Sequence, residues 1–227
     1  MASAIASTLN ASQREKWTDL FIRAIVISFF VMVGYSVCRD LVALLHKSNV
    51  DVIRVASKGL VLAFNILVAW LILIRSQPVA KARGWQPRIS AIMGSNLFYL
   101  GMPFIASRTD LPPWLYAASG VLIIVGGIAT IYSLSYLGRS FSIMAQARRL
   151  VTDGPYRFVR HPLYAAEFIG YLGVFIQYAS WISAAFLVVQ CCFQICRMFN
   201  EEAVLQATFP EYAVYTTRRA RVIPGVW

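Results

Sequence analysis

Tyr156, Arg157, Arg160, His161 and Tyr164 crowd into residues 150–164, the densest polar stretch of a chain that is otherwise 59% hydrophobic. Arginine and imidazole can hold an anion or move a proton, and a phenol can donate or accept a hydrogen bond. Two readings are open. The stretch is a plain juxtamembrane anchor, because arginines and tyrosines gather at membrane interfaces, or it is an ordered site. Its backbone signals favour order. Gly154-Pro155 marks a turn, and Pro162 disfavours helix at His161, so the stretch is a structured connector that enters a helix at about Leu163.

A second set of polar residues lies downstream. Gln190, Gln194, Arg197 and Glu201 are spaced by four, three and four, which puts them on one helix face. Polar side chains this deep in an apolar run either glue helices together or face a watery cavity. Their alignment toward the Glu201-Glu202 pair favours a pocket wall, and Gln190, Gln194 and Arg197 become candidates for lining a substrate passage. Glu167, one turn after Tyr164, either joins that passage or reaches up to Arg160.

The elements that must position these residues are membrane helices. Only 14% of the 227 residues are charged, against about 25% in a soluble domain, and the mean hydropathy is +0.62. The formal charge of +11 suits nucleic acid in principle, but the basic residues flank apolar runs and form no continuous face, so they read as topology signals and anionic-lipid contacts. Cys191, Cys192 and Cys196 have no histidine nearby and read as small apolar fillers, not a zinc site. The expected fold is all-α and polytopic: spans at 20–38, 52–74, 89–106 and 114–137, then a helical hairpin and an interfacial tail from Asn200. Pro103 should kink or end the third span. Residues 163–199 form 37 apolar residues without a charged loop, too long for one span of about 20. They read as two helices meeting near 177–180, the first short for a full crossing. The small, polar residues before the first span do not follow an apolar core, so no cleavable signal is expected.

Topology follows from Lys and Arg outside the spans. With the N-terminus inside, Arg39, Lys47, Arg54, Lys58 and Arg108 fall outside, Arg23 and Arg197 lie within helices, and the other fourteen of the 21 fall inside. Both termini and residues 150–164 are therefore expected on the cytoplasmic side.

The run Gly154-Pro-Tyr-Arg-Phe-Val-Arg-His-Pro-Leu-Tyr164, followed by a helix, Glu201-Glu202 and Phe209-Pro-Glu-Tyr212, resembles the isoprenylcysteine carboxyl methyltransferase family, itself related to membrane phospholipid N-methyltransferases. The resemblance covers about residues 138–215. It implies a membrane methyltransferase that uses S-adenosylmethionine, with a lipophilic acceptor bearing a carboxylate, thiol or amine, inside a single membrane domain whose cofactor-binding and catalytic region is 138–215. A non-catalytic membrane protein or small transporter that kept the fold is the alternative. Under the resemblance, Leu150, Val151 and Gly154 would cradle the cofactor, Tyr156, His161 and Tyr164 would contact it, and Glu201 would take its ribose or ammonium group. His161 fits a purely structural role equally well. Arg160 and Glu202 would stand nearest the acceptor as the catalytic pair. The chain departs from expectation in two ways. No glycine-rich fingerprint of a soluble dinucleotide fold is present. Ala166 stands where the family would have a glycine, which bears on the shape of the acceptor entrance.

Overall fold

A computed structural model describes residues 2–46, 50–101, 104–225 and 227. Seven helices follow one another: α1 (Ala2–Leu45), α2 (Val52–Ile74), α3 (Gln86–Gly101), α4 (Pro113–Leu137), α5 (Pro162–Gln177), α6 (Trp181–Thr208) and α7 (Glu211–Arg218). The fold is helical and polytopic, with four helices long and apolar enough to cross a membrane: 19–45, 52–74, 113–140 and 181–208.

That set differs from the expected one. α3 is described over 16 residues and is not among the four, whereas the second hairpin arm α6 is. α6 also runs on to Thr208, so Glu201 and Glu202 sit on its last turns and not in a tail. α1 continues on both sides of the expected 20–38 span. Pro103 lies outside the described residues. One short ladder joins the helices: β1 (Ala80–Lys81) pairs antiparallel with β2 (Gln146–Ala147), and Ser76 N–H donates to Arg139 O at 3.0 Å. These bonds pin the loop after α2 to the loop after α4.

The hairpin breaks where the length of the apolar run requires. α5 ends at Gln177, and Ser180 caps α6 in a box in which it and Ser183 bond each other's backbone. Its two arms do not pack flank to flank. α5 lies along α4 and α6 lies along α3. Small residues permit both contacts: a Cβ on Gly126 would stand 2.5 Å from Gly170 N, and one on Gly94 would stand 3.2 Å from Phe193 O. Ala166 belongs to the first of these contacts, its carbonyl 2.9 Å from that same Gly126 position. It therefore shapes the α4–α5 seam.

Candidate active site

Residues 138–161 cross over the end of the bundle and bring the polar stretch against the last turns of α6. Gly154 adopts φ +57, and a Cβ there would fall on the Tyr136 ring. Only glycine meets both demands. The 3-10 turn that follows, Gly154–Arg157, seats Tyr156 inside. His161 precedes Pro162, the first residue of α5, and stands outside the helical region at φ −127, ψ 58, since a following proline disfavours helix there.

A cavity opens at this junction. It is lined by Leu150, Val151, Tyr156, Arg160, His161, Tyr164, Arg197 and Glu201, joined by Ser142, Met144, Gln146, Arg148, Arg149, Tyr212 and Tyr215 among others. Most residues singled out from the sequence thus meet here. Gly154 does not line the cavity; its place is against Tyr136. Glu202 stands just behind the wall, 8% exposed.

Glu202 organises one side. Its Oε1 accepts from Arg160 Nη1 at 2.9 Å and lies 3.0 Å from His161 Nε2, while Arg221 Nε reaches Oε2 at 3.2 Å. Burial alone would penalise a carboxylate, and this ring of donors keeps it charged. Glu201 organises the other side, accepting from Tyr164 OH at 2.6 Å and Arg197 Nε at 3.1 Å. The Tyr164 ring stacks on His161, centroids 5.4 Å apart, and Arg197 lies 5.2 Å over its other neighbourhood.

The remaining candidates lie deeper and outside the lining. Gln194 Nε2 donates to Glu167 Oε2 at 2.6 Å. Gln190, fully buried, accepts from Phe98 N–H at 3.0 Å and donates to Gly94 O and to Tyr171 OH. The seam therefore divides: Arg197 and Glu201 face the cavity, whereas Gln190 and Gln194 bind helices together. Glu167 bonds Gln194 and does not reach Arg160 among the hydrogen bonds of the described residues.

Three features were missed from the sequence. Arg221 and the tyrosines 212 and 215 had been assigned to an interfacial tail, since contacts from so far along the chain leave no local pattern. Arg148 had been counted as topology charge. It is 8% exposed and donates to Ser76 O and Gln146 Oε1, and burial lowers its pKa to about 10, which leaves it cationic at neutral pH.

The cavity keeps a polar atom that the protein does not satisfy. The Tyr156 hydroxyl is buried and makes no hydrogen bond among the described residues, and the Tyr212 hydroxyl, also buried, lies against the Arg160 side chain. Burial raises the Tyr156 and Tyr212 phenols well above their usual range and holds Tyr215 at about 12, so all three are O–H donors at neutral pH. Buried polar groups of this kind call for a partner. The arrangement is that of a polar pocket at the end of a helical bundle.

Comparison with known proteins gives the class. The phospholipid methyltransferase family matches residues 114–212. Protein-S-isoprenylcysteine O-methyltransferase B of Arabidopsis thaliana is 33% identical over 120 residues, 50% of this chain and 61% of that protein. A cobalt-zinc-cadmium resistance protein of Cupriavidus metallidurans is 31% identical over 145 residues, 62% of each chain. The chain thus spans about three fifths of the length of these curated relatives. In fold it is similar to a eukaryotic intramembrane Ras methyltransferase, an isoprenylcysteine carboxyl methyltransferase, with a TM-score of 0.50 and 19% identity over 90% of this chain and 76% of that one. Residues 114–212 thus match the phospholipid methyltransferase family, and the chain is similar to an isoprenylcysteine methyltransferase in sequence and in fold. The resemblance drawn from the motif holds.

Proposed function

We propose that this protein is an S-adenosylmethionine-dependent methyltransferase that moves a methyl group to a lipophilic acceptor at the cytoplasmic membrane face. The observation that carries the reading is the meeting of Tyr156, His161 and Tyr164 with Glu201 in one cavity that contains an unsatisfied buried hydroxyl. The lining fits the cofactor by its donors and acceptors. Glu201 suits a ribose or ammonium group, the Tyr156 and Tyr212 hydroxyls suit acceptors such as a carboxylate or ring nitrogens, and Leu150 and Val151 offer backbone and apolar contact. When bound, the cofactor would supply an electrophilic methyl group.

The protein's share of the work is placement. Displacement at a sulfonium needs little acid–base help when the acceptor is already an anion, and correct orientation is worth about 7–11 kcal/mol in well-positioned systems. Arg160, on the cavity wall and anchored through Glu202, orients the acceptor. Glu202 holds that guanidinium in place. A carboxylate, a thiol and an amine all remain within the acceptor class. The lining runs from Leu137 to Tyr215, which supports 138–215 as the cofactor-binding and catalytic region of one membrane domain.

The test is calorimetric binding of S-adenosylhomocysteine to the detergent-solubilised protein, followed by transfer of label from S-adenosylmethionine into lipid extracts. Absence of binding would instead favour a non-catalytic membrane protein. The face is tested separately: cysteines at Gln86 and Thr217 should label only from the cytoplasmic side, and labelling of Gln86 from outside alone would reverse the orientation.

A further inference from the structure

Arg221 reaches the site from beyond α7 without lining the cavity. Three observations converge on it. The first is backbone pairing. Val159 bridges Ala220 in parallel, Arg160 N–H donates to Ala220 O at 2.9 Å, and His161 N–H donates to Arg221 O at 2.8 Å. The residues that bind Glu202 from the polar stretch are thus fixed by the same short segment that carries Arg221.

The second is the division of Glu202. Its two oxygens serve three donor side chains. Arg221 Nε sits 3.2 Å from Oε2 and 3.3 Å from Oε1, while Arg160 Nη1 and His161 Nε2 share Oε1. With Oε2 taken, Arg160 cannot close the two-bond fork that an arginine and a carboxylate otherwise prefer. Glu202 holds it by one nitrogen. The rest of its guanidinium lines the cavity beside Tyr212. The third observation is the aromatic contact. The Arg221 guanidinium lies 4.9 Å from the Phe199 ring and 5.3 Å from the Trp227 ring, and those two rings meet edge to face at 6.4 Å. A planar cation resting against two rings at once has a fixed orientation, which an ammonium lacks.

We propose that Arg221 is a positioning residue of the transfer reaction: held against Phe199 and Trp227, it occupies Glu202 Oε2 and so presents Arg160 to the acceptor. The proposal rests on the methyl-transfer reading above. A merely structural anchor would behave differently, since its loss would weaken stability and cofactor affinity together, whereas loss of positioning slows transfer alone.

The experiment uses the full chain in nanodiscs with two variants. Arg221→Lys keeps the charge but loses the fork and the stacking. Trp227→Ala leaves Arg221 in place with one ring gone. Three quantities are measured: label transfer into a lipid extract at saturating S-adenosylmethionine, S-adenosylhomocysteine affinity by calorimetry, and hydrogen exchange at the Arg160 and His161 amides without ligand. Arg221→Lys is expected to slow transfer about 100-fold, the scale of a 1 Å misplacement, with affinity within about threefold of wild type and faster exchange at both amides. Trp227→Ala is expected to slow transfer about threefold to thirtyfold, the range of one cation–π contact. Wild-type transfer in Arg221→Lys, or a matching fall in affinity and transfer, overturns the proposal. A wild-type protein that neither binds S-adenosylhomocysteine nor transfers label overturns the methyl-transfer reading itself and the positioning role with it. The amide exchange then reports separately on whether that hold exists.

Discussion

The two ends of the polar face of α6 obey opposite rules. At the deep end, Gln190 uses its carbonyl and both amide hydrogens on Phe98, Gly94 and Tyr171, and Gln194 is bonded to Glu167. At the shallow end, Arg197, Glu201 and Glu202 are ringed by arginines, His161 and Tyr164, while the hydroxyl of Tyr156 finds no partner among the described residues. One helix face therefore carries a satisfied seam and an unsatisfied site. The difference teaches where to look for function in a membrane bundle: a polar group whose hydrogen bonds are complete is holding helices, and one that lacks partners at the same depth is waiting for a ligand.

This contrast can be broken by substitution. The largest effect is expected at the shallow end. Arg160→Lys and Glu202→Gln should each lose about 100-fold in transfer rate while keeping S-adenosylhomocysteine affinity, because a lysine lacks the planar fork and a glutamine cannot hold two cations. Near-normal rates in both would remove the pair from the chemistry, and lost affinity with normal rates at saturation would move them to the cofactor. Next comes the deep end. Gln190→Leu removes the side chain that ties Phe98 and Gly94 of α3 to α6, so stability should fall by about 1–3 kcal/mol, read as a lower midpoint in thermal unfolding, with cofactor affinity unchanged. A Gln190→Leu protein that unfolds normally but binds S-adenosylhomocysteine poorly would erase the distinction between the two ends. The smallest effect is expected from Tyr164→Phe. It removes one hydrogen bond to Glu201 and keeps the ring on His161, so affinity should weaken about threefold to tenfold. His161→Ala should weaken it further, since the ring stack and the Glu202 contact vanish together; unchanged affinity in both folded variants would exclude them from the cofactor site.

Much of this was legible in the chain because it is local. The break between α5 and α6 follows from the length of the apolar run, and Ser180 and Ser183 have the spacing of a helix start. Gly154 and Pro162 announce the turn and the helix entry that place Tyr156 and His161. The face formed by Gln190, Gln194, Arg197 and Glu201 is plain helical arithmetic, although the arithmetic could not say that its two halves would do different work, which depends on what α3 and α5 present to them. The third expected span, 89–106, runs into residues 102–103, which lie outside the described residues. The two-residue ladder of Ala80–Lys81 with Gln146–Ala147 was invisible, since so short a pairing has no period. Arg221 was hidden for the same reason that it matters: its partners, Glu202 and Phe199, lie some 20 residues upstream on another helix.

The shortness of α5 bears on the bilayer itself. It has 16 residues and measures about 24 Å at 1.5 Å per residue, whereas the hydrocarbon core is about 30 Å thick. Hydrophobic mismatch of this sign is relieved by local thinning of the membrane or by drawing headgroups and flanking polar residues inward. α5 begins at the wall of the cavity, so such a dimple would form at its rim. There, the surface of the bilayer would come down toward His161, and a lipid acceptor would travel a shorter distance out of its leaflet to meet a water-soluble co-substrate.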